Sequence, residues 1–377
     1  MKKHKICIVG GGLTGLITAL VLNGDELEID LIFKQNKKNF EKDLRVTAIS
    51  QNNFNFLKSS IKNLKESLFY SVNKIDLFYE KNKVLKNFLN FDDKKSLMYL
   101  FNNNELKSFL HSKLKKSNIN LINKTVKNVD ASDSSILFDK SSKKYDLIIL
   151  CLGYNSKLYD NIIGSREVKK NYNEHSVTTI VNHNIKNLPA IQFFLKEGPL
   201  AILPCKKNSF SVVWSMNNQS YFDNEKKISH YIKSKLQTVL KTKTLKLGKI
   251  QSYPLKFSIR KHYYKKDTIV LGDGLHVVHP LAGQGFNLIL RDIKKLNDLI
   301  SENTKLGLPI NCSNIPKEFS SNRKPENLLM GLGIDATRIF FKPNQYVDNL
   351  KENILEKFAK SKTLKSLTKK VANFGIY

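Results

Sequence analysis

Cysteine and tryptophan are scarce in this chain, which has four Cys and one Trp among 377 residues. The thiols stand far apart, with no CxxC pair and no histidine at ligand spacing; they are Cys7, Cys151, Cys205 and Cys312. This distribution indicates neither a zinc site nor a disulfide framework. We therefore expect free thiols and a cytoplasmic location, since the cytoplasm keeps thiols reduced.

Long apolar runs are absent too. No stretch of about 18 consecutive apolar residues occurs, which excludes a conventional membrane-spanning helix. Because a strand pattern already begins at Ile6, we expect neither a signal peptide nor a transit peptide ahead of it. Apolar residues (41%) and aromatic residues (10%) are as frequent as in globular proteins, and the length suits two interleaved domains.

Acidic residues are outnumbered: 33 Asp and Glu stand against 63 Lys and Arg, for a formal net charge of +30. Surfaces this basic are attracted to nucleic acid and to anionic lipid. Here, however, lysine is spread evenly through a chain rich in Lys, Asn and Ile, and no basic run alternates with stacking aromatic residues. We attribute most of the charge to this overall composition and expect no nucleic-acid partner.

Glycine is concentrated near the start of the chain, in the run from Gly10 to Gly15. An apolar strand pattern, Ile6–Val9, precedes this run, and an apolar helix pattern, Leu16–Leu22, follows it. The G-x-G-x-x-G spacing therefore stands in the strand–turn–helix context of a dinucleotide site. Its glycines permit a tight turn, close approach of a pyrophosphate and close helix–strand packing.

One part of that pattern is missing. After the second strand, Ile29–Phe33, an Asp or Glu normally holds the adenosine ribose, and Phe33-Lys34-Gln35 stands there instead. Lys34 or Gln35 can hydrogen-bond a ribose, but neither offers the two acceptors of a carboxylate. We expect weaker or differently arranged adenosine binding.

A second glycine-rich segment lies far along the chain, between Ile269 and Asp292. The buried-type strand Thr268–Leu271 stops at Gly272-Asp273-Gly274, and Gly283-Gln284-Gly285 precedes a helical apolar pattern. Backbone N–H groups at such a helix start suit an anion or a ring edge, and a carboxylate accepts hydrogen bonds from sugar-like hydroxyls. One long cofactor spanning both glycine-rich sites explains them together, and FAD is long enough.

The remaining pattern predicts an α/β fold. Tyr145–Cys151 reads as a buried strand that shares a parallel sheet with residues 5–9, whereas residues 175–265 are β-rich with Gly, Pro and Asn turns. We predict a Rossmann-like FAD-binding domain, an inserted, mainly antiparallel β substrate domain and a C-terminal helical segment. The predicted boundaries are 1–70, 99–160 and 266–310 for the FAD-binding domain, 71–98 and 161–265 for the substrate domain, and 311–377 for the helical region.

Three helical patterns carry apolar stripes. We predict a helix over Tyr99–Leu114, and another over Phe319–Phe341 whose stripe contains Leu328, Leu329, Leu332 and Ile339. A last stretch, from Leu350 to Val371, alternates apolar residues with lysines. It is typical either of a helix at a membrane surface or of a helix packed on its own domain.

Three motifs together resemble the ubiquinone-biosynthesis hydroxylases, flavoprotein monooxygenases related to p-hydroxybenzoate hydroxylase. They are Gly10-Gly11-Gly12-Leu13-Thr14-Gly15, Arg45-Val46-Thr47-Ala48-Ile49-Ser50, and Gly272-Asp273 with His279-Pro280-Leu281-Ala282-Gly283-Gln284-Gly285-Phe286-Asn287. The segment Glu197–Pro204, followed by Val213-Trp214, matches the same subfamily. The resemblance covers nearly the whole chain.

The resemblance implies a set of cofactor contacts. The residues that would face the pyrophosphate are Gly10, Gly12, Leu13, Thr14 and Gly15. Arg45 and Asn103 would contact FAD near the same group. Asp273 would bind the ribityl chain. Along the isoalloxazine they are Pro280, Gly283, Gln284 and Gly285, and the set is completed by Val126, Phe286 and Asn287. No catalytic side chain is assigned.

The resemblance also implies an activity. In such enzymes NAD(P)H or another donor reduces the flavin, oxygen adds to form a C4a-hydroperoxide, and one oxygen atom passes to a phenol ring with a polyprenyl tail. The expected partners are that phenol, molecular oxygen, a membrane surface and other quinone-synthesis proteins. Two alternatives are an FAD oxidoreductase for another lipid-like aromatic substrate and a cofactor-poor, non-catalytic member of a quinone-synthesis complex.

The chain departs from the family pattern at three positions. Leu152-Gly153 stands in place of an Asp-Gly pair linked to FAD and NAD(P)H, Phe33 in place of the ribose-binding acid, and Ile289 where glycine is usual. We expect FAD binding to be retained but loosened. Direct reduction by a nicotinamide is expected to be slow, or replaced by a carrier.

Overall fold

The computed structural model describes residues 3–34, 43–164, 167–218, 224–311, 313–342 and 348–375. Gln35 and Cys312, named above, lie outside these ranges. The other cysteines are free: Cys7 and Cys151 are buried, Cys205 is partly buried, and burial raises the pKa of all three thiols. They are therefore poor nucleophiles.

The elements up to residue 150 are, in order, β1 (His4–Val9), α1 (Leu13–Val21), β2 (Leu27–Ile32), β3 (Val46–Ser50), α2 (Gln51–Ser60), β4 (Phe69–Val72), β5 (Lys74–Lys81), β6 (Val84–Asp92), β7 (Met98–Asn102), α3 (Asn103–Leu114), β8 (Asn120–Ile122), β9 (Asn128–Asp130), β10 (Ser135–Leu137), β11 (Ser142–Lys144) and β12 (Leu147–Leu150). The next are α4 (Asp160–Ile163), β13 (Glu167–His183), β14 (Ala190–Leu195), β15 (Gly198–Lys206), β16 (Ser209–Asn217), α5 (Glu225–Leu240), β17 (Leu245–Leu247), β18 (Gln251–Arg260) and β19 (Tyr264–Lys265). The last are β20 (Thr268–Val270), β21 (His276–Val277), α6 (Gln284–Lys305), α7 (Ile315–Phe340), α8 (Asp348–Lys360) and α9 (Lys362–Phe374).

A six-stranded sheet in the order β19-β20-β12-β1-β2-β8 forms the first layer. All neighbours pair in parallel except β19 and β20. Strands β1 and β12 read as continuous apolar runs because both faces of this sheet are covered, and Ile6, Ile8 and Leu147 have no exposed surface. The parallel sheet predicted for residues 5–9 and 147–151 is confirmed, as is the return of the chain to it at residues 268–271.

A larger sheet in the order β21-β18-β13-β16-β15-β14-β5-β6 forms the second layer. It is antiparallel apart from the pair β14 and β5, as predicted for a mainly antiparallel unit. One face carries buried apolar residues such as Val177, Val212 and Trp214, which pack with Ile232 of α5 in one core cluster. The division of the chain into an FAD-binding and a substrate domain stays a prediction.

The helix predicted over Tyr99–Leu114 begins later than expected. Residues Met98–Asn102 form β7, which pairs with both β3 and β4, and α3 starts at Asn103. The side chain of Asn102 accepts hydrogen bonds from the backbone N–H of Asn104 and Glu105, and this N-cap fixes the helix start.

Helix α7 buries a different face from the one its apolar stripe suggested. Leu329, Leu332 and Ile339 are exposed, whereas Arg323 and Glu326 are buried. Arg323 pairs with Glu326 and donates from Nε to Asp292 of α6 at 2.7 Å. Buried charges are tolerated here because each one is paired.

Helices α8 and α9 complete the described chain and touch both layers. Glu352 of α8 forms ion pairs with Lys81 and Lys86, and Lys369 of α9 pairs with Asp93 at 3.2 Å. Near the end of α9, the side chain of Asn373 accepts from the backbone N–H of Asn52 (2.8 Å), and its carbonyl accepts from the Ser50 hydroxyl (3.0 Å). None of the described helices is both long and apolar enough to cross a membrane.

Candidate cofactor and substrate site

Two adjoining cavities lie beside the first glycine turn. The larger, of about 1460 Å³, runs from the glycine turn and Asp273 to β5, β6 and α8. The smaller, of about 350 Å³, lies against the glycine turn and the end of β2. Both are lined by Gly12, Lys107 and Leu152, so they meet at that point. Together they offer more room than the roughly 300–1,000 Å³ of a typical small-molecule pocket.

The glycines of the first turn serve two different needs. A Cβ on Gly10, whose φ is +132°, would lie 2.2 Å from the carbonyl oxygen of Cys151, and a Cβ on Gly15 would lie 1.9 Å from that of Gly10. These two glycines are required by packing between β1, β12 and α1. A Cβ on Gly12 would meet no atom of the described residues within 4 Å. Gly12 instead leaves open space where the two cavities join.

The second glycine-rich turn opens the way to α6. Gly283, with φ +63°, is the N-cap residue, and no side chain of the described chain caps the helix. A Cβ on Gly283 would lie 3.0 Å from the Cβ of Ala48 in β3, so the turn and β3 are closely packed. The first-turn N–H groups of α6 thus stand at the positive end of the helix dipole, beside the larger cavity.

Asn287 holds this turn against β3 and α2. Its Oδ1 accepts from the Ser50 backbone N–H (2.8 Å) and from Asn53 Nδ2 (2.7 Å). Its Nδ2 donates to the carbonyl oxygens of Gly283 (3.1 Å) and Ala48 (3.3 Å). The amide is therefore occupied by protein partners, although the residue lines the cavity. A cofactor contact through Asn287 stays a prediction.

Arg45 lines the larger cavity, and its positive charge acts on Asp273. Its Nε and one terminal nitrogen donate to Asp43 at 2.8 and 2.7 Å, and its guanidinium lies 5.4 Å from the ring centre of Tyr253. Burial raises the pKa of Asp43, but the hydrogen bonds and charge of Arg45 outweigh it and hold that pKa below its usual value. Asn103 also donates to Asp43, at 3.2 Å. The fork of Arg45 is thereby fixed beside the cavity.

Asp273 follows β20 and borders the larger cavity. Its side chain is exposed to the cavity although the residue lies deep in the protein. Desolvation raises the pKa of Asp273. The charges of His276 and Arg45 lower it, but by less. A carboxylate in this place gains from hydroxyl groups that replace its lost water.

His276 lines the same cavity three residues later. Its Nε2 lies 2.6 Å from Oδ2 of Asp292, and the other carboxylate oxygen, Oδ1, accepts from Arg323 and Asn327. The other ring nitrogen, Nδ1, is buried and finds no hydrogen-bond partner among the described residues. Buried polar atoms are rarely left alone, so this nitrogen is a candidate contact for a bound molecule.

The smaller cavity, the candidate site for the adenosine end of a cofactor, has a basic lining. Among the residues that the structure describes, its charged or titratable lining comes from Lys34, Lys107, His111 and Lys124. Burial and the neighbouring Lys107 lower the pKa of His111. The ring of Phe33 lies 5.5 Å from that of His111 and occupies the space beside Gly11. Phe33 thus lines the smaller cavity at the position where the family has an acidic residue.

The structure brings nearly all predicted cofactor residues to these cavities. The larger cavity is lined by Gly12, Leu13, Thr14, Arg45, Asn103, Asp273, Pro280, Gly283, Gln284, Gly285, Phe286 and Asn287. The smaller one is lined by Gly10, Gly12 and Val126. Gly15 is the exception, since it is absent from both linings and packs beneath Gly10. Which of these residues contact a cofactor stays a prediction.

Sequence reasoning missed a second wall of the larger cavity. One row of cross-strand neighbours on the second sheet faces it, comprising Thr178, Val213, Ala201, Gln192, Leu77 and Leu89. The opposite face of the same strands packs with α5. The period-2 alternation of these strands was the available signal, but it does not reveal which face borders a cavity.

A parallel sheet with two glycine-rich turns over joined cavities defines a dinucleotide-binding α/β protein. Comparison with known families narrows this class. The sequence profile described as the FAD binding domain matches residues 3–305, and the chain belongs to this family.

Several relatives share the family. Ubiquinone biosynthesis monooxygenase COQ6 of Dictyostelium discoideum is 29% identical over 188 residues, which cover 41% of this chain and 38% of that protein. Ubiquinone hydroxylase UbiL of Rhodospirillum rubrum is 28% identical over 213 residues, covering 55% and 49%. For 3-demethoxyubiquinol 3-hydroxylase of Escherichia coli the identity is 29% over 161 residues, covering 41% and 40%. The matched segments thus span less than half of each relative.

Solved structures share the fold. That of p-nitrophenol 4-monooxygenase PnpA from Pseudomonas putida superposes with a TM-score of 0.78 at 15% identity and covers 99% of both chains. The structure of HpxO from Klebsiella pneumoniae, complexed with FAD and uric acid, superposes with a TM-score of 0.75 at 13% identity, covering 98% of this chain and 96% of that one. At these identities the likeness concerns the fold alone.

The residues present fit FAD. Gly12 leaves space for a pyrophosphate beside the N-terminus of α1, and the Arg45 guanidinium, paired with Asp43, lines the same cavity. Asp273 offers acceptors for hydroxyls, and α6 presents its first-turn N–H groups farther along the same cavity. The adenosine end fits less well, because lysines replace the usual carboxylate.

We predict that Gly12→Ala separates cofactor binding from folding. The added methyl meets no protein atom of the described chain, so the free energy of unfolding of the FAD-free protein should change by less than about 1 kcal/mol. Because the methyl projects into the cofactor path, FAD affinity should fall about tenfold or more. Fluorescence titration with FAD and thermal unfolding measure the two quantities.

The matched control is Gly333→Ala in α7, where a Cβ also meets nothing within 4 Å among the described residues. Gly333 lines neither cavity, although Thr337, one turn farther along α7, lines the larger one. It should stabilise the helix by about 0.5–1 kcal/mol and leave FAD affinity unchanged. Equal FAD affinities for Gly12→Ala and wild type would contradict the assignment of the turn.

We also predict that the affinity for FAD falls on acidification. The raised pKa of Asp273 means that its carboxylate becomes protonated at a pH above the ordinary 3.8. Protonation removes acceptor capacity for hydroxyls, so affinity is full above that raised pKa and is lost as the pH falls through it. The fluorescence of released flavin, followed during acid titration, reports this. In Asp273→Asn the pH dependence should disappear and affinity should be low throughout; a wild-type curve in that variant would refute the role.

Proposed function

We propose that this chain is an FAD-dependent monooxygenase that hydroxylates the aromatic ring of a polyprenylated phenol in ubiquinone biosynthesis. The observation that carries the proposal is the continuity of one cavity, which passes from the cofactor-type turns into an apolar chamber. The names of the relatives support the substrate class, since COQ6, UbiL and the 3-demethoxyubiquinol hydroxylase belong to ubiquinone biosynthesis.

The chamber has the chemistry of a site for a long apolar tail. Its apolar lining comes from β6, the edge strand of the second sheet, and from helices of the C-terminal region: Phe88, Leu89 and Phe91 of β6, Phe340 of α7 with the following Phe341, and Ile354, Leu355 and Phe358 of α8. Side chains of this kind gain free energy when they cover apolar surface, at about 25 cal/mol per Å². A phenol with an isoprenoid chain can thus place its ring near the cofactor turns and its tail against α8.

FAD, when bound, supplies the redox chemistry and the activation of oxygen. The protein's own share is to bind, orient and enclose. Gly12 and the α1 N-terminus would hold the pyrophosphate, Asp273 the ribityl hydroxyls, and the Pro280–Gly285 turn the flavin ring. Leu203, Leu281 and Phe194 line the neighbouring wall and exclude water from the place where ring and cofactor meet.

Leu152, which stands in place of an acidic residue, bears on which molecule donates electrons to the flavin. Leu152 lies at the junction of the two cavities, where the family places an acid linked to NAD(P)H, and its carbonyl oxygen accepts from the Tyr159 hydroxyl. We propose that a nicotinamide reduces this protein slowly and that a carrier protein or another donor takes its place.

An isotope experiment tests this function. The FAD-loaded protein is chemically reduced, mixed with a phenol that carries a short isoprenoid chain, and exposed to ¹⁸O₂. Mass spectrometry should find one ¹⁸O atom in the product, and NADPH should support a lower rate than the chemical reductant. Asp273→Ala is the control that should lose both flavin and product. An unlabelled product, or none, would sink the hydroxylase proposal, and rapid NADPH oxidation would sink the donor proposal.

We further propose that α8 and α9 attach the protein to an anionic membrane surface. Residues 348–375 contain seven lysines against three acidic residues. Leu364 and Leu367 of α9 are 41% and 54% exposed, while Thr368 and Asn373 line the cavity. Exposed leucines of α9 thus stand beside exposed lysines such as Lys362 and Lys370, a combination typical of an interfacial helix.

The double variant Leu364→Glu, Leu367→Glu should bind vesicles containing phosphatidylglycerol at least about tenfold more weakly, because two exposed leucines become charged. Co-sedimentation measures this binding, which should also weaken as salt rises. Leu306→Glu is a matched control, since Leu306 is 73% exposed but lies at the end of α6. Equal loss in both variants, or none in either, contradicts attachment through α9.

A further inference from the structure

Gln192 is the one carboxamide in the row of sheet residues that faces the larger cavity. Its cross-strand neighbours are Ala201 on β15 and Leu77 on β5, and beyond them in the row stand Val213 and Leu89. All of these line the cavity. A polar amide surrounded by small and apolar residues on a cavity wall costs free energy unless it finds a partner.

Most of the hydrogen-bonding capacity of Gln192 is unused. Within the described chain its side chain makes a single hydrogen bond, from Nε2 to the carbonyl oxygen of Phe193, at a long 3.3 Å. A carboxamide offers two N–H donors and an acceptor oxygen. The side chain is half-buried, and the cavity borders it. One acceptor and at least one donor are therefore available to a molecule in the cavity.

The position of Gln192 along β14 indicates which kind of molecule its amide would contact. Two residues before it, Ala190 belongs to the apolar cluster of Val46 and Ala48, the strand against which Gly283 packs. Two residues after it, Phe194 belongs to the cluster of Leu281. Alternate residues of a strand share a face, so Gln192 stands between the two segments that flank the flavin-ring turn. The apolar chamber continues on the other side, through Leu77 and Leu89.

From this position we infer that Gln192 orients the substrate by hydrogen-bonding an oxygen substituent of its aromatic ring. The inference rests on the proposed function, and it identifies the ring oxygen as the part of the substrate that the site recognises. It makes Gln192 a positioning residue, which takes no proton and forms no bond. The apolar chamber does not fix how far the tail enters it, so the amide of Gln192 helps to select which ring carbon faces the cofactor turns.

The test compares two ligands that differ by one hydroxyl. Calorimetry on the FAD-loaded protein measures the affinity for a phenol with a short isoprenoid chain and for the matching prenylbenzene, which lacks the hydroxyl. Wild type should prefer the phenol about three- to tenfold, the effect of one hydrogen bond. In Gln192→Leu the preference should shrink to about twofold or less through loss of phenol affinity alone. Gln192→Met, which keeps the side-chain length, should behave in the same way.

Gln237→Leu is the matched control. Gln237 lies on α5, behind the sheet, and its amide donates to the carbonyl of Lys243 at 2.9 Å. This variant should keep the wild-type preference. In a turnover assay, Gln192→Leu should also yield less hydroxylated product per oxygen consumed and more hydrogen peroxide.

The possible outcomes are distinct. A Gln192 variant that keeps the phenol preference, or loses affinity for both ligands equally, overturns the role of Gln192 while the hydroxylase proposal stands. Wild-type protein that binds neither ligand overturns the proposed substrate class itself.

Discussion

The hydrogen bonds of the Asn287 side-chain amide hold the parts of the site together. The amide joins a strand near the start of the chain, the helix that follows that strand, and the first turn of α6, which lies more than two hundred residues later. Because four hydrogen bonds converge on one buried side chain, β3 and the Gly283 turn keep a fixed separation. The cavity, the uncovered N–H groups of α6 and the wall around Ala48 all depend on that separation.

Residues with local chemistry could be predicted from the sequence. The glycine turn, Asp273 and the Gly283–Gly285 turn each sit directly after a buried strand or before a helix, so neighbouring residues identify them. Phe33 and Leu152 could also be recognised as departures, because the family pattern has an acidic residue at each of those positions.

Features set by distant partners could not be predicted. Residues 98–102 form a strand only because β3 and β4 pair with them, although the same residues suit a helix. The buried face of α7 is chosen by Arg323 and its partner Asp292, whereas a search for apolar repeats selects the opposite face. Gln192 gains its meaning from cross-strand register, which a single sequence does not reveal.

The wall formed by α8 and α9 has a consequence for the order in which the protein folds. Its contacts with β3 and α2 bridge more than three hundred residues, as in the Ser50–Asn373 hydrogen bond. Contacts this distant in sequence form late, since the chain between them must first be made and closed into a loop. Until α8 and α9 dock, the chamber lacks the side that Ile354, Leu355 and Phe358 of α8 form. The docking of these two helices therefore encloses a chamber whose two glycine turns lie in earlier parts of the chain.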